Sequence, residues 1–157
     1  MSRGLHIRRS FLWTVAVLIV SACGAPVDNE SFVRRGDRSS AGGYVFSLDM
    51  SDSTCRYTLT LFTMLDAPPR EINGMPALME LHVTAVSPSG RSYTEKVGLP
   101  RDGAVREDFF SRQYESLYRE GFIPSEYGRW DISIKIQDED KFRGLRGLGL
   151  KYTKSAK

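Results

Sequence analysis

Cysteine and histidine are scarce in this sequence, which contains two of each. Beyond residue 23 only Cys55 and His82 remain, so no disulfide can form within that part of the chain. A zinc site there would rely mainly on carboxylates, and no pair of candidate ligands has a familiar spacing. Cys55 and His82 offer a nucleophile and a base, but no family signature surrounds Cys55. We therefore predict a protein that is not an enzyme, with no catalytic residue, no metal site and no cofactor.

An excess of positive charge is also missing from most of the chain. The formal net charge of the whole sequence is +3, and Arg3, Arg8 and Arg9 account for that excess. Three of the 22 basic side chains therefore lie at the N-terminus, and the remaining 19 balance the 19 acidic ones. A nucleic-acid-binding domain usually carries a basic patch or a basic balance. The neutral balance of residues 23–157 predicts no nucleic-acid partner.

The N-terminal residues have the pattern of an export signal. Three arginines, without any acidic residue, precede the uncharged apolar run Phe11–Val20. As a helix this run would be about 15 Å long, which is about half the hydrocarbon thickness of a bilayer. It is too short to span a membrane, so we predict a signal peptide at residues 1–22. Arg8-Arg9-Ser10-Phe11-Leu12 also resembles a twin-arginine motif, but the strongly apolar run that follows favours the general secretion route.

Val20-Ser21-Ala22-Cys23 closely resembles the lipobox of bacterial lipoproteins. The resemblance implies that the signal peptide is cut before Cys23, that this cysteine carries a diacylglyceryl group, and that its new amine is acylated. Two or three such chains, palmitate among them, anchor a protein almost permanently, because each buried CH₂ contributes about 0.8 kcal/mol. We therefore predict lipidation at Cys23 and membrane lipid as a partner through that residue.

Residues 24–43 have the composition of a linker. Phe32 and Val33 are among their few large apolar side chains, and Gly, Ser, Asn, Arg and Asp make up most of the rest. Arg35-Gly36-Asp37 looks like an integrin-binding sequence, but a tripeptide arises easily by chance, and we interpret its arginine as a solvated linker charge. The predicted organisation is a signal peptide at 1–22, a lipidated flexible tether at 23–43 and one domain at 44–157.

From Tyr44 onward, short segments alternate apolar and polar side chains, which is the pattern of half-buried β-strands. The turn residues 51–54 are expected to join the first two strands as a hairpin, and Pro88-Ser89-Gly90 to join the third and fourth. Glycines 144, 147 and 149 are expected to permit bulges or the close approach of a neighbouring strand. The predicted strands cover residues 44–50, 57–65, 78–86, 92–99, 129–137 and 145–152.

Residues 105–120 break this β pattern. Phe110, Tyr114 and Leu117 recur at helical spacing, acidic residues come early in the segment, and Gly121 follows it. We predict one amphipathic helix whose apolar face packs on a sheet. Six or seven short strands with a single short helix predict an all-β fold, an antiparallel β-sandwich of the jelly-roll or immunoglobulin-like kind.

Four segments together resemble a known family. They are the lipobox, Phe46–Asp49 with Tyr57–Met64, Leu81–Tyr93 with its Ser87-Pro88-Ser89-Gly90 turn, and Gly128–Leu150, which ends in Leu-Arg-Gly-Leu-Gly-Leu. In these segments the chain is similar to the gliding-motility-associated lipoproteins of Bacteroidetes, the GldH-like family. The resemblance implies a lipid-anchored protein of the cell envelope, in the outer membrane. It also implies a structural or accessory subunit of a gliding-motility or secretion-type envelope assembly, with other envelope proteins as partners.

The aromatic residues leave an alternative function open. Aromatic faces stack on sugars and mark protein interfaces, so a surface-exposed glycan- or peptide-binding module is the second hypothesis. The acidic run 138–140 lacks the ligand spacing and the glycine of a calcium-binding EF-hand loop. Two predicted strands flank it, and we predict a charged hairpin turn there. Asp49 and Asp52 are also predicted to be turn residues. The candidate surface aromatics are Trp130 and the tyrosines at positions 44, 57, 93, 114, 118, 127 and 152.

Overall fold

A computed structural model describes residues 27–157, which form nine β-strands and one short helix. The predicted signal peptide, the lipidation residue Cys23 and the first residues of the predicted tether lie outside the described residues. Two short 3-10 turns, Arg35–Asp37 and Glu139–Lys141, connect strands. The elements are β1 (Val27–Arg34), β2 (Tyr44–Met50), β3 (Cys55–Asp66), α1 (Pro69–Asn73), β4 (Leu78–Val86), β5 (Ser92–Pro100), β6 (Arg106–Glu107), β7 (Ser111–Phe122), β8 (Gly128–Ile136) and β9 (Leu145–Ala156).

The strands form two antiparallel sheets that enclose one core. The first sheet has the order β1-β9-β3-β7-β6, and the second has the order β2-β8-β4-β5. Side chains of both sheets meet in a single buried cluster, which includes Leu61 and Leu148 from the first sheet and Phe46, Leu81 and Ile134 from the second. The predicted all-β sandwich is therefore confirmed. Among residues 27–157, no helix is both long and apolar enough to cross a membrane.

Strict alternation along β2 and β8 determines which side chains enter the core. In β2 every second residue from Tyr44 to Met50 is buried, and the residues between them are exposed. In β8 the even-numbered positions Trp130, Ile132, Ile134 and Ile136 are buried in the same way. Because successive side chains of a strand point to opposite faces, one face of each strand must be core. The predicted boundaries of these strands and of the β4–β5 hairpin are confirmed to within one residue.

The glycines of β9 allow neighbouring strands to approach closely. Gly149 pairs with Phe32 of β1 on one side and with Phe62 of β3 on the other. These two rings stack over it, with their centroids 5.8 Å apart. A Cβ at Gly147 would lie 2.1 Å from the backbone oxygen of Val33, so β1 depends on that glycine. The pairing of β3 and β9 also shifts register near Gly147, as expected from the sequence.

Residues 27–43 are not a flexible tether. Val27–Arg34 is β1, which pairs with β9 over eight residues, and the domain therefore begins well before Tyr44. Arg35, expected as a solvated linker charge, binds the Glu139 carboxylate at 2.7 Å, and Arg38 binds it at 2.8 Å. A polar edge strand can have a linker-like composition, because it needs few apolar side chains of its own. The backbone of β9 supplies the hydrogen bonds of β1, and the glycines of β9 let β1 pack closely against it.

The predicted amphipathic helix at 105–120 is wrong, because this segment forms β6 and β7. Tyr114 is buried as expected, but Phe110 and Leu117 are 60% and 55% exposed. Tyr114 and Tyr118 share one face both in a helix and in a strand, since four residues are close to one helical turn and are also two strand repeats. Long-range pairing with β3 decided between them. The one helix of the described residues lies elsewhere, at Pro69–Asn73.

The predicted hairpin between β2 and β3 is also wrong, because the two strands lie in different sheets. β2 pairs with β8, and β3 is the central partner of β7 and β9. The residues between β2 and β3 do form the predicted turn. The amide of Ser51 donates to Asp49 Oδ1 at 3.1 Å, and the amide of Thr54 donates to Asp52 Oδ1 at 2.9 Å.

Candidate binding cleft

A cavity of about 260 Å³ opens between the two sheets at one end of the sandwich. We call it the end cleft. Its aromatic lining consists of Tyr93 from β5, Tyr118 and Phe122 from β7, and Trp130 from β8. Aliphatic side chains that include Met50 continue the lining. A mainly apolar concavity with a few convergent polar groups is the usual form of a ligand site.

Trp130 forms the rear wall of the end cleft. The residue is only 8% exposed, and its indole Nε1 donates to the backbone oxygen of Glu126 at 2.9 Å. The ring of Tyr93 lies 6.0 Å from it, centroid to centroid, and is 46% exposed at the mouth of the cleft. A ligand that enters here meets the partly exposed ring of Tyr93 first and the buried indole of Trp130 behind it.

Glu95 of β5 and two residues of β7 supply the polar side of the cleft. The hydroxyl of Tyr118 donates to Glu95 Oε1 at 2.5 Å, and Arg119 Nη2 lies 2.6 Å from each carboxylate oxygen. The Arg119 guanidinium also lies 4.8 Å from the centroid of the Tyr118 ring. Burial, followed by the bond to Glu95, raises the pKa of Tyr118 above its usual value. Tyr118 therefore stays a neutral donor, and this group ties the edges of the two sheets together.

The loop between β7 and β8 closes one side of the cleft with Ile123, Pro124 and Ser125. Glu126 fixes this loop to the β4–β5 turn, because its carboxylate accepts bonds from the Ser87 hydroxyl at 3.0 Å and from the Ser89 hydroxyl at 2.8 Å. The bonds from Ser89 are the main cause that lowers the pKa of Glu126. An ionised carboxylate thus holds this wall of the cleft.

The structure separates Cys55 from His82. Cys55 begins β3 in the first sheet, and its thiol donates to the Asp52 carboxylate at 3.3 Å. His82 lies in β4 of the second sheet, where its Nε2 is 3.0 Å from Gln137 Oε1. The two residues thus have different partners in different sheets. Within residues 27–157, no group of three or more His, Cys, Asp or Glu side chains is placed to hold a metal ion.

The acidic run 138–140 lies in the connection between β8 and β9, as predicted for a charged turn. Glu139 accepts ion pairs from Arg35 and Arg38, and Asp140 accepts one from Arg35 at 2.8 Å. The predicted hairpin is wrong, because β8 and β9 belong to different sheets. The charges of the turn hold the segment after β1 against the rest of the domain.

The candidate aromatics fall into separate groups. Tyr44, Tyr57 and Tyr114 are buried in the core, whereas Tyr93, Tyr118 and Trp130 come together in the end cleft. Sequence reasoning missed Glu95 and Arg119, and no local signal identifies them. They are 24 residues apart, and Arg119 was assigned to a helix, so only the packing of β5 against β7 unites them.

A second exposed feature is the tip of the β6–β7 hairpin. Phe109 and Phe110 are 79% and 60% exposed, and their rings meet edge to face with centroids 4.6 Å apart. The amide of Asp108 donates to the oxygen of Ser111 at 2.8 Å and closes the turn beneath them. We call this pair the phenylalanine tip.

The phenylalanine tip and the end cleft lie at opposite ends of β7. The tip precedes Ser111, the first residue of β7, and the cleft is lined by Phe122, the last one. Twelve strand residues separate these ends by roughly 35 Å. Val27, where β1 begins, lies at the cleft end, since it pairs with Lys154, which pairs with Tyr57 beside Phe122.

Comparisons with known proteins found few similarities. No family model matches the sequence, and no curated protein matches it. Among solved structures, the chain is similar to the enzymatically active domain of tailspike protein 4 of bacteriophage CBA120, with a TM-score of 0.33 and 8% sequence identity. The match covers 84% of this chain and 18% of the tailspike chain. A likeness of this size carries no argument about function.

Proposed function

We propose that this protein is a non-enzymatic lipoprotein of the bacterial cell envelope that binds a ligand in the end cleft. Acyl chains on Cys23 anchor it, and the resemblance to gliding-motility-associated lipoproteins supports the outer membrane as its location. The observation that carries the binding role is the aromatic cavity of about 260 Å³ in front of Trp130. Its lining favours insertion of an apolar group, because Trp130 is only 8% exposed and so offers no open ring face for a sugar.

The binding role is tested by fluorescence of Trp130. The sequence contains two tryptophans, and Trp13 belongs to the predicted signal peptide, so Trp130 is the single tryptophan of residues 23–157. We expect the apolar dye N-phenyl-1-naphthylamine to bind saturably and to receive excitation energy from Trp130. The dye is small enough to enter the cavity and needs no knowledge of the natural ligand.

A pair of matched variants gives this test its control. Ala85→Phe adds a ring inside the end cleft, which Ala85 lines, and should abolish dye binding. Val45→Phe adds the same ring at a position that is 48% exposed on β2, and should leave dye binding unchanged. Saturable binding that survives in Ala85→Phe, or its absence from the wild type, would contradict the proposed role of the cleft.

A second candidate function is an accessory subunit of a gliding-motility or secretion-type envelope assembly. The exposed phenylalanine tip favours it, since two adjacent and largely exposed rings are suited to docking on another protein. The tip lies at the end of the sandwich opposite to Val27, the first described residue. We expect a stoichiometric envelope protein to co-purify from detergent extracts with the wild type and to be lost from the Phe109→Ser, Phe110→Ser double variant. Retention of that protein by the double variant would refute a docking role for the tip.

A further inference from the structure

β5 has a strand edge with no backbone partner among the described residues, and beside this edge the Glu95 side chain bonds to Tyr118 and Arg119 of β7. β5 lies last in the second sheet, and among the described residues only β4 pairs with it. The β4–β5 ladder is flanked by bonds from Ser87 to Arg91 and from Arg101 to Ala77, both at 2.8 Å. Hydrogen-bonded pairs alternate in an antiparallel ladder, so the odd-numbered residues of β5 bond to β4. The amides and carbonyls of the even-numbered residues, Thr94 and Lys96 among them, therefore point to the open edge.

This open edge borders the end cleft. The side chains of Tyr93 and Glu95 project from β5 into the cleft, while Thr94 and Lys96 between them are exposed. On the opposite side of the opening, β7 is paired with β6 only at Arg112 and Gln113. Unpaired backbone donors and acceptors thus lie beside an apolar cavity. An added strand on β5 would direct every second side chain toward that cavity.

We propose that the end cleft recognises an extended peptide, which adds to the open edge of β5 as a further strand and inserts one large apolar side chain in front of Trp130. This inference rests on the proposed binding function and names its ligand class. The cavity of about 260 Å³ has room for one leucine or phenylalanine side chain.

Lys96→Pro tests the strand-addition step directly. Proline removes an amide that faces the open edge, and it leaves the bonds of the odd-numbered residues to β4 in place. Lys96→Thr is the matched control, because it removes the same charged side chain and keeps the amide. The probe is a fluorescently labelled seven-residue peptide with alternating threonine and lysine around a central phenylalanine. The fluorescence anisotropy of the peptide reports its binding. Each protein is purified from cells as a Cys23→Ala variant, which carries no lipid.

We expect the peptide to bind the wild type and Lys96→Thr, and to lose at least about tenfold in affinity for Lys96→Pro. A peptide with alanine at its centre should bind at least about tenfold more weakly, because it leaves the cavity empty. Equal binding to the two Lys96 variants would overturn strand addition. Equal binding of the two peptides would overturn insertion of the side chain.

The dye separates failure of this inference from failure of the proposed function. N-phenyl-1-naphthylamine should bind both Lys96 variants, since the cavity itself is unchanged. Dye binding without any peptide binding would overturn the peptide and keep the cleft as a ligand site. Displacement of the dye by laurate but not by the peptide would assign the cleft to an acyl chain. A wild-type dimer that Lys96→Pro converts to a monomer would assign the edge to a second copy of the chain.

Discussion

Gly149 is the position at which a single methyl group should disturb this fold most clearly. A Cβ there would lie 2.0 to 2.5 Å from three atoms of the Phe62 ring, Cζ, Cε1 and Cε2. Phe62 is 2% exposed and stacked on Phe32, so its ring has little room to retreat. Overpacking of a filled site typically costs 1–3 kcal/mol, and we expect Gly149→Ala to lower the free energy of unfolding by about 2 kcal/mol.

Thermal and chemical denaturation of the domain measure this cost. A change of about 2 kcal/mol corresponds to a fall in Tm of roughly 5–10 °C for a domain of this size. Gly36→Ala is the control, because an added Cβ at Gly36 meets no atom within 4 Å. Its Tm should stay close to that of the wild type.

A double-mutant cycle with Phe62→Leu isolates the proposed cause. Leucine lacks the three ring atoms that clash, so Gly149→Ala should cost much less in the Phe62→Leu background than in the wild type. Equal costs in the two backgrounds, or an unchanged Tm for Gly149→Ala alone, would refute the reasoning that the ring of Phe62 occupies the space over Gly149.

Four further changes test other parts of the structure. Leu117→Asp should change the free energy of unfolding by less than about 0.5 kcal/mol in denaturant titrations, because Leu117 is 55% exposed and not packed on the sheet as a helical residue would be; a large loss would restore the helical interpretation. Cys23→Ala should abolish metabolic labelling with a tagged fatty acid and release the protein from the membrane fraction, and label retained by the variant would exclude Cys23 as the lipid site. A chain that begins at Gly42 should be less stable in thermal melts than one that begins at Gly24, since it lacks β1 (Val27–Arg34) and uncovers β9; equal melting temperatures would show that β1 is dispensable. Bonds from Thr54 lower the pKa of Asp52 from 3.8 to about 2, so the stabilisation by the Asp52 carboxylate is present above pH 3.8 and is lost as the pH falls toward 2. The Tm difference between wild type and Asp52→Asn should therefore shrink between pH 3.8 and 2. A constant difference would contradict a stabilising role of the Asp52 carboxylate.

Some elements follow from the local sequence pattern, because that pattern fits only one structure. The alternation of Trp130, Ile132, Ile134 and Ile136 excludes a helix, because a helix would place these side chains on opposite sides of its axis. The Pro88-Ser89-Gly90 turn joins two alternating segments of equal length, so the local sequence predicts the β4–β5 hairpin. Beyond residue 23 the sequence has one cysteine and one histidine, which excludes a disulfide within that part of the chain.

Other elements have an ambiguous local pattern, and long-range contacts select their structure. Tyr114 and Tyr118 satisfy a helix and a strand equally, and pairing with β3 chose the strand. β1 has a linker-like composition, and it is ordered because Gly147 and Gly149 let it lie directly against β9. The end cleft depended on the same long-range contacts. Glu95 and Arg119 meet because the edge strand β5 lies beside β7, which β6 covers only at Arg112 and Gln113, and no rule of sequence spacing records which strands of the two sheets face each other.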